Sequence, residues 1–227
     1  MTLFRLFSAL LAALFICIAA RPALAQSARA RATANVDLAA RLQEVQADPK
    51  LKVTLLNTGR KVAAVCDNCH GESGNSPKPD VPNLAGQNTE YLLEQLRRYA
   101  LGLRTDIFME GMIKAMTSDE KVGMALFYAK QSVTYKSNTN SALAARGHEL
   151  YDKGCTRCHD DNGLGDEKVA RIAGQQPDYL RFALTRYRTG TGARLNERMA
   201  INVKKLTDAD VEAVIAFIVS MGAVSVE

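Results

Sequence analysis

The chain has 227 residues, a formal net charge of +5, five cysteines, three histidines and no tryptophan. This length suits one or two domains. Basic residues exceed acidic ones only slightly, 29 to 24, and a balance this close is not typical of nucleic-acid-binding proteins, so we expect no nucleic-acid partner.

Residues 1–25 have the features of a secretory signal peptide. Arg5 supplies positive charge, residues 6–20 are apolar, and Ala23-Leu24-Ala25 matches an A-x-A cleavage site. The apolar run is short for a membrane span. We therefore predict export to the periplasm, cleavage near Ala25, loss of Cys17 with the leader, and a mature chain with no membrane span of its own.

Residues 26–57 form a predicted N-terminal extension. Its first ten residues are small and polar, which is typical of a flexible segment. Apolar residues at Val36, Leu38, Leu42 and Val45 then predict a weak helix. We expect Asp48-Pro49 to end that helix, because proline terminates helices that reach it.

The motif C-x-x-C-H occurs twice, as Cys66–His70 and as Cys155–His159. This pentapeptide is the attachment signature of a c-type haem. Two thiols spaced on one helical turn can add to the two vinyl groups of the porphyrin, and the adjacent histidine can then bind the iron. We predict two covalent haem c groups, attached through Cys66, Cys69, Cys155 and Cys158, with His70 and His159 as proximal ligands.

Other uses of these cysteines fit less well. A zinc ribbon needs C-x-x-C pairs about 15–20 residues apart, whereas Cys69 and Cys155 are 86 positions apart. A thioredoxin-like pair would follow a strand, and no strand pattern precedes Cys66 or Cys155. Structural disulfides remain an alternative for an exported chain.

The two halves of the chain resemble each other beyond the cysteines, with a period of about 90 residues. Leu84–Gln87 recurs as Ile172–Gln175, and Thr117–Glu120 recurs as the polar helix start Thr207–Asp210. We interpret this as a tandem duplication with domains at 58–131 and 142–227, joined by a polar linker at 132–141.

Helical patterns occur in both halves, and hairpin signals and alternating apolar patterns are absent. The predicted fold class is all-α, with three to five short helices wrapped on a haem in each domain. The predicted helices at the domain ends span residues 58–65, 118–131, 143–151 and 208–221, the third of these capped by Asn140 or Ser141.

The sixth iron ligand is predicted to be methionine. His148 is the one histidine outside the motifs, so two bis-histidine haems are impossible. Met199 stands eight residues before Thr207, and Met109 stands eight before Thr117. These are the predicted ligands, with Met112 as the alternative to Met109. We expect the other methionines to pack in the core and His148 to face solvent.

Neighbouring residues are expected to support the ligands. A backbone carbonyl near Pro82 or Ala170 can accept the Nδ1 proton of the proximal histidine, as metal-bound histidine requires. Four tyrosines recur at eight-residue spacing and can either bind propionates or pack in the core: Tyr91, Tyr99, Tyr179 and Tyr187. Most arginines nearby are expected to be solvated, with one per domain pairing with a propionate: Arg97, Arg98, Arg181, Arg186 and Arg188.

Taken together, these motifs resemble the dihaem c4-type cytochromes. The resemblance rests on the doubled C-x-x-C-H and Ala-Gly-Gln motifs, on Gly74–Pro77 after the first, and on Asn162–Gly165 after the second. It implies two tandem class I cytochrome c folds packed face to face near a pseudo-twofold axis, with His/Met ligation. The family's proline before the second turn is replaced here by Ala170, and the extension is longer than expected.

The expected function is that of a periplasmic electron carrier and not an enzyme. The resemblance implies a quinol-oxidising complex as donor and a terminal oxidase as acceptor. The alternatives are the haem subunit of a larger dehydrogenase, such as a flavocytochrome, and a dihaem peroxidase. A peroxidase needs an open sixth site, whereas this chain offers one methionine to each haem.

Overall fold

The computed structural model describes residues 37–135, 141–193 and 196–222, and these ranges contain helices and no strand. Within the described residues, the first half has a short 3-10 helix at Glu72–Gly74 and five α-helices: α1 (Leu38–Ala47), α2 (Pro49–His70), α3 (Thr89–Ala100), α4 (Ile107–Ala115) and α5 (Ser118–Ala129). The described second half also has five: α6 (Ser141–Gly154), α7 (Thr156–His159), α8 (Pro177–Thr189), α9 (Glu197–Val203) and α10 (Asp208–Ser220). The predicted all-α fold is confirmed, while the predicted signal peptide and Asn140 lie outside the described residues.

Asp48-Pro49 separates two helices, where the sequence pattern predicted only an end. The Asp48 carboxylate accepts the N–H groups of Lys50 and Leu51 at 2.9 and 3.2 Å, and Pro49 occupies the first turn. Proline fits there because its missing N–H has no helical partner to lose. The helix expected to start at residue 58 therefore starts at Pro49, and the predicted domain boundary falls inside α2.

The helix α1 belongs to the core of the first half. It buries Leu38, Leu42 and Val45 and packs against α2, α3 and α5. Arg41 fixes it to α5 through two hydrogen bonds to the Asp119 carboxylate, at 2.7 and 3.1 Å. No second-half helix among the described residues corresponds to α1.

In each half, the helix that leads into the C-x-x-C-H motif crosses the last helix at small residues. In the first half α2 crosses α5 so closely that a Cβ on Gly59 would lie 2.0 Å from the Gly123 carbonyl oxygen. In the second half α6 crosses α10, and a Cβ on Gly147 would lie 1.9 Å from the Ala213 carbonyl oxygen. Glycine permits this approach of one backbone to the other.

Each half has its own apolar core. The first includes Leu92, Ile113 and Val122, and the second includes Leu180, Val203 and Val214. Both halves lie in one compact unit that begins at Leu38. None of the helices described is both long and apolar enough to cross a membrane.

Candidate haem-binding sites

Both C-x-x-C-H motifs lie where a helix ends. The first occupies the last turn of α2. The second begins at Cys155, directly after α6 ends, and continues through the short helix α7. All four cysteines are half-buried free thiols, with no disulfide among them. Burial raises the pKa of the Cys155 thiol to about 11, so this sulfur is held in its neutral form.

The two histidines predicted to be proximal ligands have matching surroundings. Each side chain is only 8% exposed. The Nδ1 atom of His70 lies 2.9 Å from the Pro82 carbonyl oxygen, and that of His159 lies 2.9 Å from the Ala170 carbonyl oxygen. Because a carbonyl oxygen only accepts, Nδ1 carries the proton and Nε2 is left with the lone pair that a metal requires.

Burial also favours the neutral imidazole. It lowers the pKa of both His70 and His159, and the nearby positive charge of Arg104 lowers that of His70 further. The backbone carbonyls expected near Pro82 and Ala170 are therefore present. Replacement of the proline by Ala170 leaves the hydrogen bond intact, since the backbone makes it.

The turns that follow the carbonyls are built identically. The Gly74 carbonyl accepts the N–H groups of Leu84 and Ala85, and the Gly163 carbonyl accepts those of Ile172 and Ala173. Gly86 and Gly174 have φ values of +62° and +66°, which favour glycine. Their N–H groups bind the carbonyls of Tyr128 and Ile218, so each turn is anchored to the last helix of its half.

The two predicted methionine ligands occupy the same place in their helices. Asp106 caps α4 by accepting the Met109 N–H at 2.9 Å, and Asn196 caps α9 by accepting the Met199 N–H at 3.0 Å. Met109 packs against the first core, and Met199 against the second. Met112 is half-buried one turn further along α4, and it is not one of the described side chains packed against that core.

These residues fit a covalently bound c-type haem. Each half supplies two thiols, a neutral imidazole with a defined tautomer, and a half-buried thioether beside an apolar core. Cys66 packs against the same core as Met109, and Cys155 against the same core as Met199. Imidazole and thioether are the axial donors of His/Met cytochromes.

Other side chains singled out from the sequence have varied roles. The Tyr179 hydroxyl accepts a hydrogen bond from Arg104 at 3.1 Å, and the Arg104 guanidinium also lies over the Tyr99 ring. Arg97 and Arg98 both pair with Glu94. The remaining three arginines have partners as well: Arg181 binds Asp178 and Glu212, Arg186 binds Thr105, and Arg188 binds Asp208.

His148 is exposed, as expected. Its ring stacks on Phe217 at 4.4 Å, and its Nε2 lies 3.5 Å from Asp152. It contacts neither motif through these partners.

The two halves meet through reciprocal hydrogen bonds from the Ala-Gly-Gln turns. The Gln175 side chain accepts the Asn83 N–H at 2.7 Å and donates to the Asn83 carbonyl at 3.1 Å. The Gln87 side chain accepts the Arg171 N–H at 2.8 Å and donates to the Arg171 carbonyl at 2.9 Å. The repeat in the sequence includes both glutamines, but a repeat alone does not indicate that each one contacts the other half.

Further reciprocal contacts surround the glutamines. The Tyr91 N–H donates to the Glu167 carbonyl, and the Tyr179 N–H donates to the Pro79 carbonyl, both at 2.9 Å. The Asn88 amide donates to the carbonyls of 164, 166 and 169. These pairs relate the halves by an approximate twofold symmetry, which is the face-to-face packing that the resemblance implied.

The linker strengthens this contact. Asn75 in the first half donates to the Ser132 carbonyl at 2.9 Å and accepts the Thr134 N–H at 2.8 Å. The Tyr135 hydroxyl then accepts a hydrogen bond from Arg171 of the second half at 2.8 Å. The described part of the linker, residues 132–135, is therefore fixed to both halves.

Comparisons with known proteins identify the family. The cytochrome c family model matches residues 144–222. Cytochrome c4 from Pseudomonas aeruginosa is 31% identical over 172 residues, covering 70% of this chain and 85% of the relative. The chain belongs to the cytochrome c4 family. The crystal structure of reduced cytochrome c4 from Pseudomonas stutzeri superposes with a TM-score of 0.67 at 31% identity, covering 73% of this chain and 97% of that one.

Membership in the cytochrome c4 family confirms the tandem cytochrome c domains. It also confirms the general class of protein, which is an electron-transfer cytochrome that binds haem c. Another relative in the comparison is the thiosulfate dehydrogenase electron acceptor of Thiomonas intermedia. It is 31% identical over 166 residues, covering 67% of this chain and 76% of the relative. Relatives with different names thus resemble this chain in sequence over about two thirds of its length.

Proposed function

We propose that this protein is a periplasmic dihaem electron carrier. Cys66 and Cys69 would hold the first haem and Cys155 and Cys158 the second, with His70 and Met109, and His159 and Met199, as axial ligands. The observation that carries the proposal is the pair of matching sites, each with a buried histidine bonded to a backbone carbonyl and a methionine beside the same core.

The chain's own residues would keep both sites closed. Pro82 and Ala170 orient the imidazoles, while Asp106 and Asn196 fix the helices that carry the methionines. The apolar cores exclude water from the ligands. The bound haem would supply a reversible one-electron change, whose potential His/Met ligation raises.

For partners we propose a quinol-oxidising complex as donor and a terminal oxidase as acceptor. A second candidate is electron acceptance from a larger dehydrogenase, favoured by the similarity to the thiosulfate dehydrogenase electron acceptor of Thiomonas intermedia. Catalysis as a peroxidase is less well supported, because a half-buried methionine stands by the core in each half.

Electron exchange with each partner class tests this function. The purified holoprotein, whose intact mass should correspond to two haems, is mixed in its reduced form with membranes containing an active terminal oxidase. In parallel, the oxidised form is mixed with a quinol-oxidising complex or with thiosulfate dehydrogenase and thiosulfate.

Rapid oxidation by the oxidase and rapid reduction by the quinol-oxidising complex would support the proposed role between these two partners. Reduction by the dehydrogenase alone would favour the second candidate, and turnover of hydrogen peroxide at rates typical of a peroxidase would contradict both.

A further inference from the structure

The interface glutamines contact the same peptide groups that hold the proximal histidines. The Pro82–Asn83 peptide accepts the His70 Nδ1 proton on its carbonyl and donates its N–H to Gln175 Oε1, at 2.9 and 2.7 Å. The Ala170–Arg171 peptide accepts the His159 Nδ1 proton and donates its N–H to Gln87 Oε1, at 2.9 and 2.8 Å. Each histidine is thus linked through one peptide to a glutamine of the opposite half.

A hydrogen bond at one end of a peptide affects the other end. When the N–H donates to an acceptor, electron density shifts toward the carbonyl oxygen, and that oxygen becomes a better acceptor in turn. A stronger bond to Nδ1–H raises the basicity of the imidazole as a metal ligand. A more strongly donating ligand favours ferric over ferrous iron and so lowers the reduction potential.

We propose that Gln175 is a positioning residue for the haem ligated by His70, and that Gln87 is one for the haem ligated by His159. Each half then sets part of the reduction potential of the other. This inference rests on the proposed ligation by His70 and His159, and it adds a role that belongs to neither half alone.

The glutamines are well placed for this role. Both are buried, at 6% exposure, in a region where hydrogen bonds are little weakened by water. Each amide is fixed at both ends: Nε2 donates to the opposite half, and Oε1 also accepts the N–H of the next residue, at 2.9 Å for Gln176 and 3.0 Å for Asn88. The oxygen therefore faces the peptide N–H, and rotation of the amide would break these bonds.

The test is a pair of reciprocal variants, Gln175→Met and Gln87→Met. Methionine preserves the length of the side chain, but its thioether is only a weak acceptor. The potential of each haem is followed separately by NMR during a redox titration of the holoprotein, together with the Nδ1 proton signals of His70 and His159. Gln175→Met should raise the potential of the haem bound to His70, and Gln87→Met that of the haem bound to His159. We expect about a threefold change in each reduction equilibrium, or about 28 mV at 59 mV per tenfold for one electron.

Asn88→Ala is the matched control. Asn88 also crosses the interface, but it binds carbonyls that do not accept from either histidine. This variant should weaken the interface and leave both potentials unchanged.

The crossed pattern decides the outcome. A shift confined to the haem of the opposite half, accompanied by a change in the corresponding Nδ1 proton signal, supports the inference. Equal shifts in both haems, a shift in the mutated half, a similar shift in Asn88→Ala, or no shift would each overturn it. If one variant does not assemble, its reciprocal variant still gives the answer. Failure of the underlying ligation would instead be visible in the wild type, as the absence of two histidine-ligated low-spin haems.

Discussion

The residue after each proximal histidine has a backbone conformation that favours glycine. Gly71 follows His70 with φ and ψ of 76° and 162°, and Asp160 follows His159 with 60° and 167°. The carbonyl of Asp160 accepts the Tyr151 hydroxyl at 2.7 Å, which helps hold this conformation. A residue with a Cβ is strained there by about 1–3 kcal/mol.

Asp160→Gly should therefore stabilise the protein. The backbone hydrogen bond from Tyr151 is retained, and relief of strain exceeds the added flexibility of the unfolded chain, for a net gain of about 1 kcal/mol. In thermal unfolding the midpoint should rise by about 2–4 °C. Gly71→Ala makes the opposite change and should lower the unfolding midpoint, because the new Cβ would lie 2.0 Å from the Asn75 carbonyl oxygen. An unchanged or lower midpoint for Asp160→Gly would contradict the assignment of strain.

Met199→Ala should open the sixth position of the second haem. Alanine has no donor atom, so we expect carbon monoxide to bind the reduced protein at one haem and the potential of that haem to fall. Absorption spectra before and after addition of carbon monoxide measure this. For the first haem, Met109→Ala should likewise open the sixth position. Met112→Ala is the control, and in that variant the sixth position should remain closed. Unchanged spectra for Met199→Ala would show that another residue is the ligand.

At the scale of elements, the helix before each C-x-x-C-H motif and the last helix of the same half make close backbone contact. Gly59 and Gly123 face each other where α2 crosses α5, and Gly147 faces Ala213 where α6 crosses α10. These crossings fix the helix that leads into each C-x-x-C-H motif relative to the turn that orients its histidine.

Gly59→Ala should destabilise the first half strongly. The new Cβ would lie 2.0 Å from the Gly123 carbonyl oxygen, and separating the two helices should cost about 1–3 kcal/mol or more. Gly111→Ala is the matched control, because nothing lies within 4 Å of its Cβ and alanine favours the helix by about 1 kcal/mol. Chemical denaturation of both variants measures the difference. Equal stability of the two would contradict the close crossing.

The capping box of α10 predicts a pH dependence. Hydrogen bonds from Thr207, together with Arg146, lower the pKa of Asp210 below its ordinary value of 3.8. A carboxyl whose pKa is lower in the folded state stabilises the fold at any pH above its pKa in the unfolded state. This stabilisation is lost as the pH falls through the pKa of the folded state. The thermal midpoint of Asp210→Asn should thus lie below that of the wild type at neutral pH, and the gap should narrow below about pH 3.8. If the difference in midpoint between the two proteins does not depend on pH, the ionised Asp210 carboxylate does not stabilise the fold as predicted.

Sequence patterns predicted some elements well and others poorly. The Thr207 and Thr117 caps have a local cause, namely a hydroxyl followed three residues later by a carboxylate, and both capping boxes are present. The start of α2 was mispredicted because Asp48-Pro49 has two local meanings, as a helix end and as a cap with proline in the first turn. Choosing between them required the core that α1 and α2 share.

At the scale of the whole molecule, the two halves use the same surface toward each other. Gln87 pairs with Arg171 as Gln175 pairs with Asn83, which is the self-complementary arrangement of a twofold interface. The sequence revealed the repeat but not this contact, because a recurring motif does not indicate whether its copies meet. No apolar pattern surrounds Gln87 or Gln175, so the sequence offers no other indication that their side-chain amides are buried in an interface.

The most direct test of the whole account is the visible and near-infrared spectrum of the mature protein, oxidised and reduced, with and without carbon monoxide. We predict a methionine-to-iron charge-transfer band whose intensity accounts for two haems per chain, and no change on addition of carbon monoxide. A high-spin signal, a band for only one haem, or binding of carbon monoxide to the wild type would contradict a closed two-haem electron carrier.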